Sequence, residues 1–392
     1  MRHRRARFVT FLFLVLIASP DGRALAHAPQ QAAVLAGDKP RARAYGIEPG
    51  VLSPGPLNAI TDVGGVLVGH VTLIEGSNVR TGVTAVLPHG GNLYQDKVPA
   101  GFSVANGFGK FAGSTQILEL GEIETPIVLT NTLSVPQGME GIIDWTLSRE
   151  GNERVASVNA VVGETNDGGL NDIRGRHVRA AHVVEAIEAA MSGPVEEGAV
   201  GAGTGTVNFG WKGGIGTSSR LLPEELGKFT VGVLAQTNYG GILQIDGVPV
   251  GEELGRYFLK GAVDNGDADG SVILVVATDA PLSDRNLTRL ARRALYAIGR
   301  TGSPASNGSG DYAVSFSTAE SVRRTADRRD GAAEIEDLAN EAMSALFEAA
   351  MESAEESIYN ALFQARTMTG GGRTVPELPL DEVLRILAAY GR

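Results

Sequence analysis

The alternation of apolar and polar residues predicts many short strands, separated by glycine-rich turns, and a few amphipathic helices. Helices are predicted at 180–191, after Ser283, and at 334–363. Strands are predicted at 79–87, 126–129, 155–163, 229–236, 272–277 and 312–317, and the glycine-rich segment 102–113 is predicted to be a loop. Several strands are apolar on both faces, as in a sheet covered on both sides. We therefore predict an α/β (α+β) fold, in which two packed sheets with helices outside form a four-layer αββα sandwich.

The first 26 residues have the pattern of an export signal. A start with four arginines precedes an apolar run from Phe8 to Ala18, and Ala24-Leu25-Ala26 fits an A-x-A cleavage site. The apolar run is shorter than the ~20 residues that a membrane-spanning helix needs. An uncleaved N-terminal anchor is the alternative. The sequence thus predicts a signal peptide over 1–26, a periplasmic mature protein and a flexible lead-in over 27–55.

Charge and cysteine content narrow the function classes. The chain carries a net charge of −11, and removal of the arginine-rich signal would leave about −15. Nucleic-acid binding, which favours a basic face, is therefore not expected. The chain has no cysteines, which excludes disulfides and thiol chemistry. No other segment is apolar enough to span a membrane, and the histidines lack zinc-ligand spacing, so we expect neither a metal nor a cofactor.

The junction between Gly270 and Ser271 is the first candidate for chemistry. An acidic, glycine-bearing turn ends there and a strand of buried character begins. If the peptide bond between the two residues breaks, Ser271 carries both a hydroxyl nucleophile and a free α-amine. An unperturbed α-amine has a pKa of roughly 7.7–8.0, which suits a general base near neutral pH. The alternative is a simple turn before a strand.

Two further groups could support such a nucleophile. Ser309 and Asp311 lie on a turn that enters a strand, where the serine hydroxyl could bridge an α-amine and the carboxylate. Asn238 follows another strand, and its side-chain amide could donate to an oxyanion. The alternatives are local turn hydrogen bonds at Ser309 and Asp311 and a left-handed turn at Asn238.

A carboxylate one residue beyond a predicted strand, Glu164, could pair with the ammonium group of a substrate. Asp167 and Asp172 are nearby competitors, and a solvated acidic loop is the alternative. The glycine-rich loop 201–216 lacks the G-K-[ST] ending of a phosphate-binding loop, so we interpret its glycines as allowing close approach to the catalytic turn. Because no histidine relay is evident, a hydrolase in this chain would use the α-amine of Ser271 as its base.

Five stretches, taken together, resemble the DmpA/BapA-type peptidases, which comprise L-aminopeptidase/D-amidase-esterases and β-peptidyl aminopeptidases. In order along the chain they are TDVGGVLVGH, VVGETNDGGLNDIRG, GAGTGTVNFGWKGGIGTSSR, DGSVILVVATDAPL and NGSGDYAVSFST. The resemblance extends from about residue 43 to the C-terminus. It implies an αββα catalytic domain over 56–392, self-cleaved into 27–270 and 271–392, whose two-chain units form a homo-oligomer.

The resemblance also implies roles for individual residues. Cleavage would occur between Gly270 and Ser271. The matching functional positions are Ser271 as the nucleophile, Ser309 and Asp311 as its supporting serine and acid, Asn238 as the oxyanion-hole donor, and Glu164 as the acid that meets the substrate ammonium.

Two departures bear on the substrate. The supporting acid is Asp311 here, whereas glutamate is typical of the β-peptide-cleaving members. Glycine before Ser271 resembles the L-aminopeptidase/D-amidase branch, but an export signal is associated with the β-peptidases. An L-α-, D-α- or β-amino acid at the substrate N-terminus therefore remains open.

The leading hypothesis is an exported serine aminopeptidase or amidase. It would release a small N-terminal residue, such as alanine or β-alanine, from a peptide, amide or ester with a free amine. One alternative is an acyltransferase of the related ornithine-acetyltransferase fold, which typically uses threonine. The other is a catalytically dead exported binding protein.

Overall fold

A computed structural model of the chain describes residues 39–260 and 270–392. Its fifteen strands within these ranges are β1 Leu67–Glu75, β2 Val79–Leu87, β3 Val98–Gly107, β4 Phe111–Ala112, β5 Glu122–Ile123, β6 Ile127–Asn131, β7 Val161–Thr165, β8 Val207–Asn208, β9 Trp211–Lys212, β10 Ile215–Leu221, β11 Thr230–Asn238, β12 Ser271–Thr278, β13 Gly310–Ser317, β14 Met368–Gly370 and β15 Arg373–Val375. The eight α-helices in the same ranges are α1 Ser114–Leu120, α2 Val135–Leu147, α3 Ala180–Glu188, α4 Val250–Glu253, α5 Asp284–Ala294, α6 Tyr296–Arg300, α7 Met343–Gln364 and α8 Leu380–Ala389.

Eleven of these strands form two mixed sheets. The first sheet has the order β1-β2-β6-β7-β4, and the second has the order β10-β11-β12-β13-β3-β5. Within them, β6 and β7 run parallel, as do β12 and β13, and the other paired strands are antiparallel. Strand β12 lies between β11 and β13, and all eight of its residues are buried. This position explains why its sequence is apolar on both faces.

Three apolar clusters stack the elements in layers. The cluster between the sheets joins Leu129 and Val161 of the first sheet to Phe102, Ile273 and Val314 of the second. Helices α2 and α3 cover the outer face of the first sheet, and α5 and α7 cover the outer face of the second. The predicted α/β (α+β) class with two packed sheets and outer helices is therefore confirmed.

The segment 102–113 is not the predicted loop. Its first half belongs to β3, and Phe111 and Ala112 form β4. A side chain on Gly109 would come within 2.9 Å of the Cα atom of Gly310, so this glycine allows two backbones to approach closely. The glycine-rich composition reflects that approach rather than a solvent-exposed turn.

Two further boundaries differ from the prediction. The strand predicted over 155–163 begins only at Val161, and the helix predicted from residue 334 begins at Met343. Ser283 does occupy the position before α5, but its side chain makes no capping hydrogen bond. No helix in the described part of the chain is long and apolar enough to cross a membrane.

The prediction of a flexible lead-in over 27–55 is wrong for residues 39–55. Ala42 is buried, the Arg41 side chain lies 2.7 Å from Glu197, and Arg43 lies 2.8 Å from Glu356 of α7. These ion pairs fix the segment to the domain, which proline and alanine content alone could not indicate. Residues 1–38, which include the predicted signal peptide, lie outside the described ranges.

Candidate active site

Ser271 begins β12 and is 6% exposed. The backbone N–H of Gly310 donates both to Ser271 Oγ, at 3.2 Å, and to the carbonyl oxygen of Gly270, at 3.1 Å. A side chain on Gly270 would collide with the carbonyl oxygen of Asn238, which explains why the residue before the serine is glycine in this backbone. The hydroxyl and the carbonyl that precedes it therefore share one donor.

Ser309 and Asp311 lie immediately beside this serine. Strands β12 and β13 run parallel with Ser271 opposite Gly310, the residue between Ser309 and Asp311. Ser309 Oγ donates to Asp311 Oδ1 at 2.5 Å, and both side chains are fully buried. Asp311 Oδ2 has no hydrogen-bond partner among the described residues. Burial raises the pKa of Asp311 to about 6, although the hydrogen bond from Ser309 acts in the opposite direction.

Asn238 ends β11 directly opposite Ser271 in the antiparallel register. Its Oδ1 atom accepts a hydrogen bond from the backbone N–H of Val207 in β8, at 2.9 Å. Because the oxygen is held in this way, the Nδ2 group is the end of the amide that can donate into the site. Val207 belongs to the glycine-rich loop 201–216, so the loop approaches Ser271 through Asn238.

Glu164 enters the site from the first sheet. It lies inside β7 rather than beyond it, and it is 2% exposed. Its carboxylate accepts hydrogen bonds from the backbone N–H of Lys110, at 2.9 Å, and from the hydroxyl of Thr132. The Lys110 ammonium lies 3.9 Å away and is half exposed. The buried carboxylate thus has hydroxyl and amide partners and only a distant cation.

The competing acids have other partners. Asp167 Oδ1 accepts from Asn171 at 3.0 Å, and burial raises the pKa of Asp167 to about 6. Asp172 accepts from the backbone N–H of Gly175 and lies 3.1 Å from His177. Neither is among the residues that line the cleft beside Ser271.

A cleft of about 650 Å³ brings Ser271, Asn238 and Glu164 together from the two sheets. Ser309 and Asp311 are buried behind Ser271 and do not line the cleft. Groups that the sequence analysis did not identify also line the cleft: Phe108, Lys110, Thr132, Tyr239 and Arg373. Phe108, Thr132 and Tyr239 directly follow β3, β6 and β11, and so fit the strand-end pattern that identified the others. In the described ranges, no group of histidine and acidic side chains could hold a metal ion.

This arrangement can support nucleophilic chemistry without a histidine. It offers a hydroxyl at a strand start, an amide donor opposite it, a buried serine–acid pair, and a carboxylate from the other sheet in the same cleft. The carboxylate lies where a positively charged group of a bound molecule would be stabilised.

Comparisons with known proteins agree with this chemistry. Residues 58–375 match peptidase family S58. The β-peptidyl aminopeptidase BapA of Sphingosinicella microcystinivorans is 43% identical over 374 residues, which cover 90% of this chain and 93% of that relative.

Two solved structures share the fold at similar coverage. The PH0078 protein from Pyrococcus horikoshii OT3 is 49% identical with a TM-score of 0.83, over 90% of this chain and all of the other. The L-aminopeptidase D-Ala-esterase/amidase from Ochrobactrum anthropi, a variant of the Ntn hydrolase fold, is 38% identical with a TM-score of 0.83, over 90% and 99% of the two chains. The chain therefore belongs to peptidase family S58 and is a hydrolase of the aminopeptidase type.

Proposed function

We propose that the protein is an exported serine aminopeptidase that first cleaves its own Gly270–Ser271 bond. It then removes one small N-terminal residue from peptides, amides or esters, as a homo-oligomer of two-chain units. The observation that carries this proposal is that Ser271, from one sheet, and Glu164, from the other, line one cleft. A substrate ammonium at Glu164 would direct the carbonyl that follows it towards the nucleophile.

The contacts at Gly270 support self-cleavage. Attack of Ser271 Oγ on the Gly270 carbonyl carbon would move the acyl group from nitrogen to oxygen and leave an ester. The Gly310 N–H, already 3.1 Å from the carbonyl oxygen, can stabilise the negative charge that develops there. Hydrolysis of the ester then releases the Gly270 carboxylate and regenerates the hydroxyl, now on a residue with a free α-amine.

The same groups can then act on a substrate. The neutral α-amine of Ser271 accepts the hydroxyl proton while Oγ attacks the carbonyl, and it returns the proton to the leaving amine. Asn238 Nδ2 donates to the oxyanion. Ser309 and Asp311 orient the amine and stabilise its protonated form. Water then hydrolyses the acyl-enzyme.

Glu164 supports the requirement for a free substrate amine. A buried carboxylate gains most from a cation that it can contact directly, and N-acetylation removes that charge. The names of two relatives indicate different N-terminal residues in their substrates. One is a β-peptidyl aminopeptidase, and the other is an L-aminopeptidase and D-Ala-esterase/amidase. The residue released by this chain must therefore be tested directly.

The experiment is to express the full chain and to determine the intact mass and N-terminal sequences of the product. Wild type should give two chains, one beginning near His27 and the other at Ser271. Ser271→Ala should remain one chain and be inactive. The matched control is Ser353→Ala, which changes a buried serine of α7 remote from the cleft and should behave as wild type.

Release of p-nitroaniline from β-alanyl, D-alanyl and L-alanyl anilides identifies the preferred residue. The N-acetylated form of the preferred anilide should not be turned over. A fully active single chain would contradict self-processing, and equal turnover of capped and free anilides would contradict an aminopeptidase.

A further inference from the structure

Arg373 lines the cleft on the side of β8. A side chain on Gly169 would lie 3.2 Å from Arg373 Nη1 and 3.9 Å from Val207 Cγ2, so the guanidinium lies close to the strand that holds Asn238. Glu164 lines the same cleft, beside Gly109. The cleft that contains Ser271 therefore also contains a buried anion, Glu164, and a cation, Arg373.

The hairpin β14–β15 carries this arginine at a fixed place. Arg80 Nε donates to the carbonyl oxygen of Thr369 at 2.8 Å, and the Gly371 N–H donates to the carbonyl oxygen of Ser77 at 3.0 Å. At the other end of the hairpin, the Pro376 carbonyl accepts from the Lys212 N–H at 2.8 Å. These contacts attach both ends of the hairpin to the domain, so the backbone that carries the exposed Arg373 is held in place beside the cleft.

A second guanidinium lies nearby. Arg256 packs over the Trp211 ring at 5.3 Å, and its pKa is lowered by burial and by the positive charge of Arg373. Among residues 39–260 and 270–392, no carboxylate lies within ion-pair distance of either arginine. Two neighbouring guanidiniums without a carboxylate between them attract an anion, and the planar fork of arginine suits a carboxylate in particular.

We propose that Arg373 binds the C-terminal carboxylate of the leaving group, so that the preferred substrates are short peptides with both termini free. This inference rests on the proposed aminopeptidase function and names the substrate class of that same cleft. A peptide residue spans at most ~3.3–3.6 Å, so only a short peptide can place its ammonium at Glu164 and its carboxylate at Arg373 within one cleft. Longer peptides and C-terminal amides would bind through their ammonium at Glu164 but not through a carboxylate at Arg373.

The test compares three substrates of the processed enzyme: β-alanyl-L-alanine, its C-terminal amide and β-alanyl p-nitroanilide. If another N-terminal residue is preferred, it replaces β-alanine in all three. In wild type, kcat/KM should be about tenfold higher for the free acid than for the amide, as a charge-assisted hydrogen bond provides. Arg373→Met should bring this ratio close to one by lowering only the value for the free acid, and Arg373→Lys should restore part of it.

Two controls distinguish this role from a structural one. Turnover of the anilide, which has no carboxylate, should be unchanged in Arg373→Met. Arg385→Met removes an exposed arginine of α8 and should leave every value unchanged. An acid-to-amide ratio near one in wild type, a ratio unaffected by Arg373→Met, or an equal loss on the anilide would overturn the proposal. Failure of wild type on all three substrates would instead contradict the proposed function, and this inference with it.

Discussion

Two groups of buried acids in this protein have opposite kinds of partner. On α7, Glu352 accepts from Arg220 at 2.9 Å and from two backbone N–H groups, and Glu356 lies 2.8 Å from both Arg220 and Arg43. Burial alone would raise the pKa of Glu356. The hydrogen bond from Arg43 and the charges of Arg220 and Arg43 outweigh it, so the pKa is lowered.

The two acids of the candidate active site, Asp311 and Glu164, lack such cations. Asp311 accepts from the Ser309 hydroxyl and has one oxygen without a partner in the described ranges. Glu164 accepts from a hydroxyl and a backbone amide, with the half-exposed Lys110 ammonium 3.9 Å away. Glu352 and Glu356 of α7 are neutralised within the fold, whereas Asp311 and Glu164 can each accept one more cation. For Asp311 that cation would be the protonated α-amine of Ser271, and for Glu164 the substrate ammonium.

The largest effect should follow from Asp311→Asn. Its kcat/KM should fall about 10²- to 10⁴-fold, the usual contribution of a proton-transfer system, because the α-amine loses its orienting charge. In wild type, kcat/KM should rise through an apparent pKa near or somewhat above neutral, since a negative Asp311 favours the protonated amine. The variant's rising limb should shift to lower pH. If the rising limbs of the two pH profiles coincide, Asp311 does not affect the pKa of the general base. If His177→Ala or His182→Ala loses the rising limb, a histidine is the base instead.

Arg220→Met tests the two paired acids of α7. It leaves Glu352 and Glu356 with fewer cationic partners in a fully buried site, so the free energy of unfolding should fall by about 3–5 kcal/mol. The kcat/KM per folded molecule should not change, because the cluster does not line the cleft. Urea unfolding monitored by circular dichroism measures the loss, with Arg385→Met as the control for removal of one arginine. A stable but inactive Arg220→Met variant would give these acids a functional role.

The pH dependence of stability should separate the two kinds of acid. With the chain kept intact by Ser271→Ala, Asp311 has a folded pKa of about 6, above the unfolded value. As the pH rises from 4 to 6, the unfolded state releases this proton first, so Asp311 lowers stability by about 1–3 kcal/mol, and the loss persists at higher pH.

Adding Asp311→Asn to Ser271→Ala should remove that loss. The free energy of unfolding of the double variant, relative to that of Ser271→Ala, should increase by about 1–3 kcal/mol between pH 4 and pH 7. Urea unfolding at both pH values measures this difference. Glu356 contributes to stability with the opposite sign, because its lowered pKa stabilises the folded state and this contribution disappears as the pH falls. A constant difference between the two variants would mean that Asp311 does not titrate in this range.

The sequence predicted those parts of the fold whose burial is evident from local pattern. The sequence predicts strand β2 to the residue, and it predicts β12 to within one residue at each end because this central strand is apolar on both faces. Helix α2 was missed because Gly138 and Gly141 resemble loop residues. Their missing side chains instead allow close packing against Val162 and Val183. Long-range contacts therefore determine what these glycines do.

The candidate site also contains residues that the local sequence indicates and residues that only long-range contacts bring to the cleft. Ser271, Asn238 and Asp311 were found because each lies at the end of an apolar run. Lys110 and Arg373 reach the cleft only through tertiary contacts, such as the one that attaches the β14–β15 hairpin to Arg80, nearly 290 residues away in the chain. No local spacing could have indicated them.

The smallest effect should come from Lys110→Met, which removes the weak cation beside Glu164. Lys110 is 52% exposed and its ammonium is 3.9 Å from the carboxylate, so the pair contributes only about 0–1 kcal/mol and competes with the substrate ammonium. The KM for the preferred aminoacyl anilide should fall about two- to fivefold with kcat unchanged, because the backbone N–H of Lys110 still holds Glu164. The anilide has no carboxylate, so any contact of Lys110 with a leaving-group anion does not affect the result.

Salt and a matched variant complete this test. The difference in KM should disappear in 1 M salt, where exposed charges are screened. Lys228→Met, which removes a more exposed lysine from a surface pair with Glu224, should leave KM unchanged. A rise in KM for Lys110→Met would mean that the lysine assists substrate binding. Glu164 would then be an acid paired with a cation of the protein, like Glu352 and Glu356, and not one that accepts the substrate ammonium.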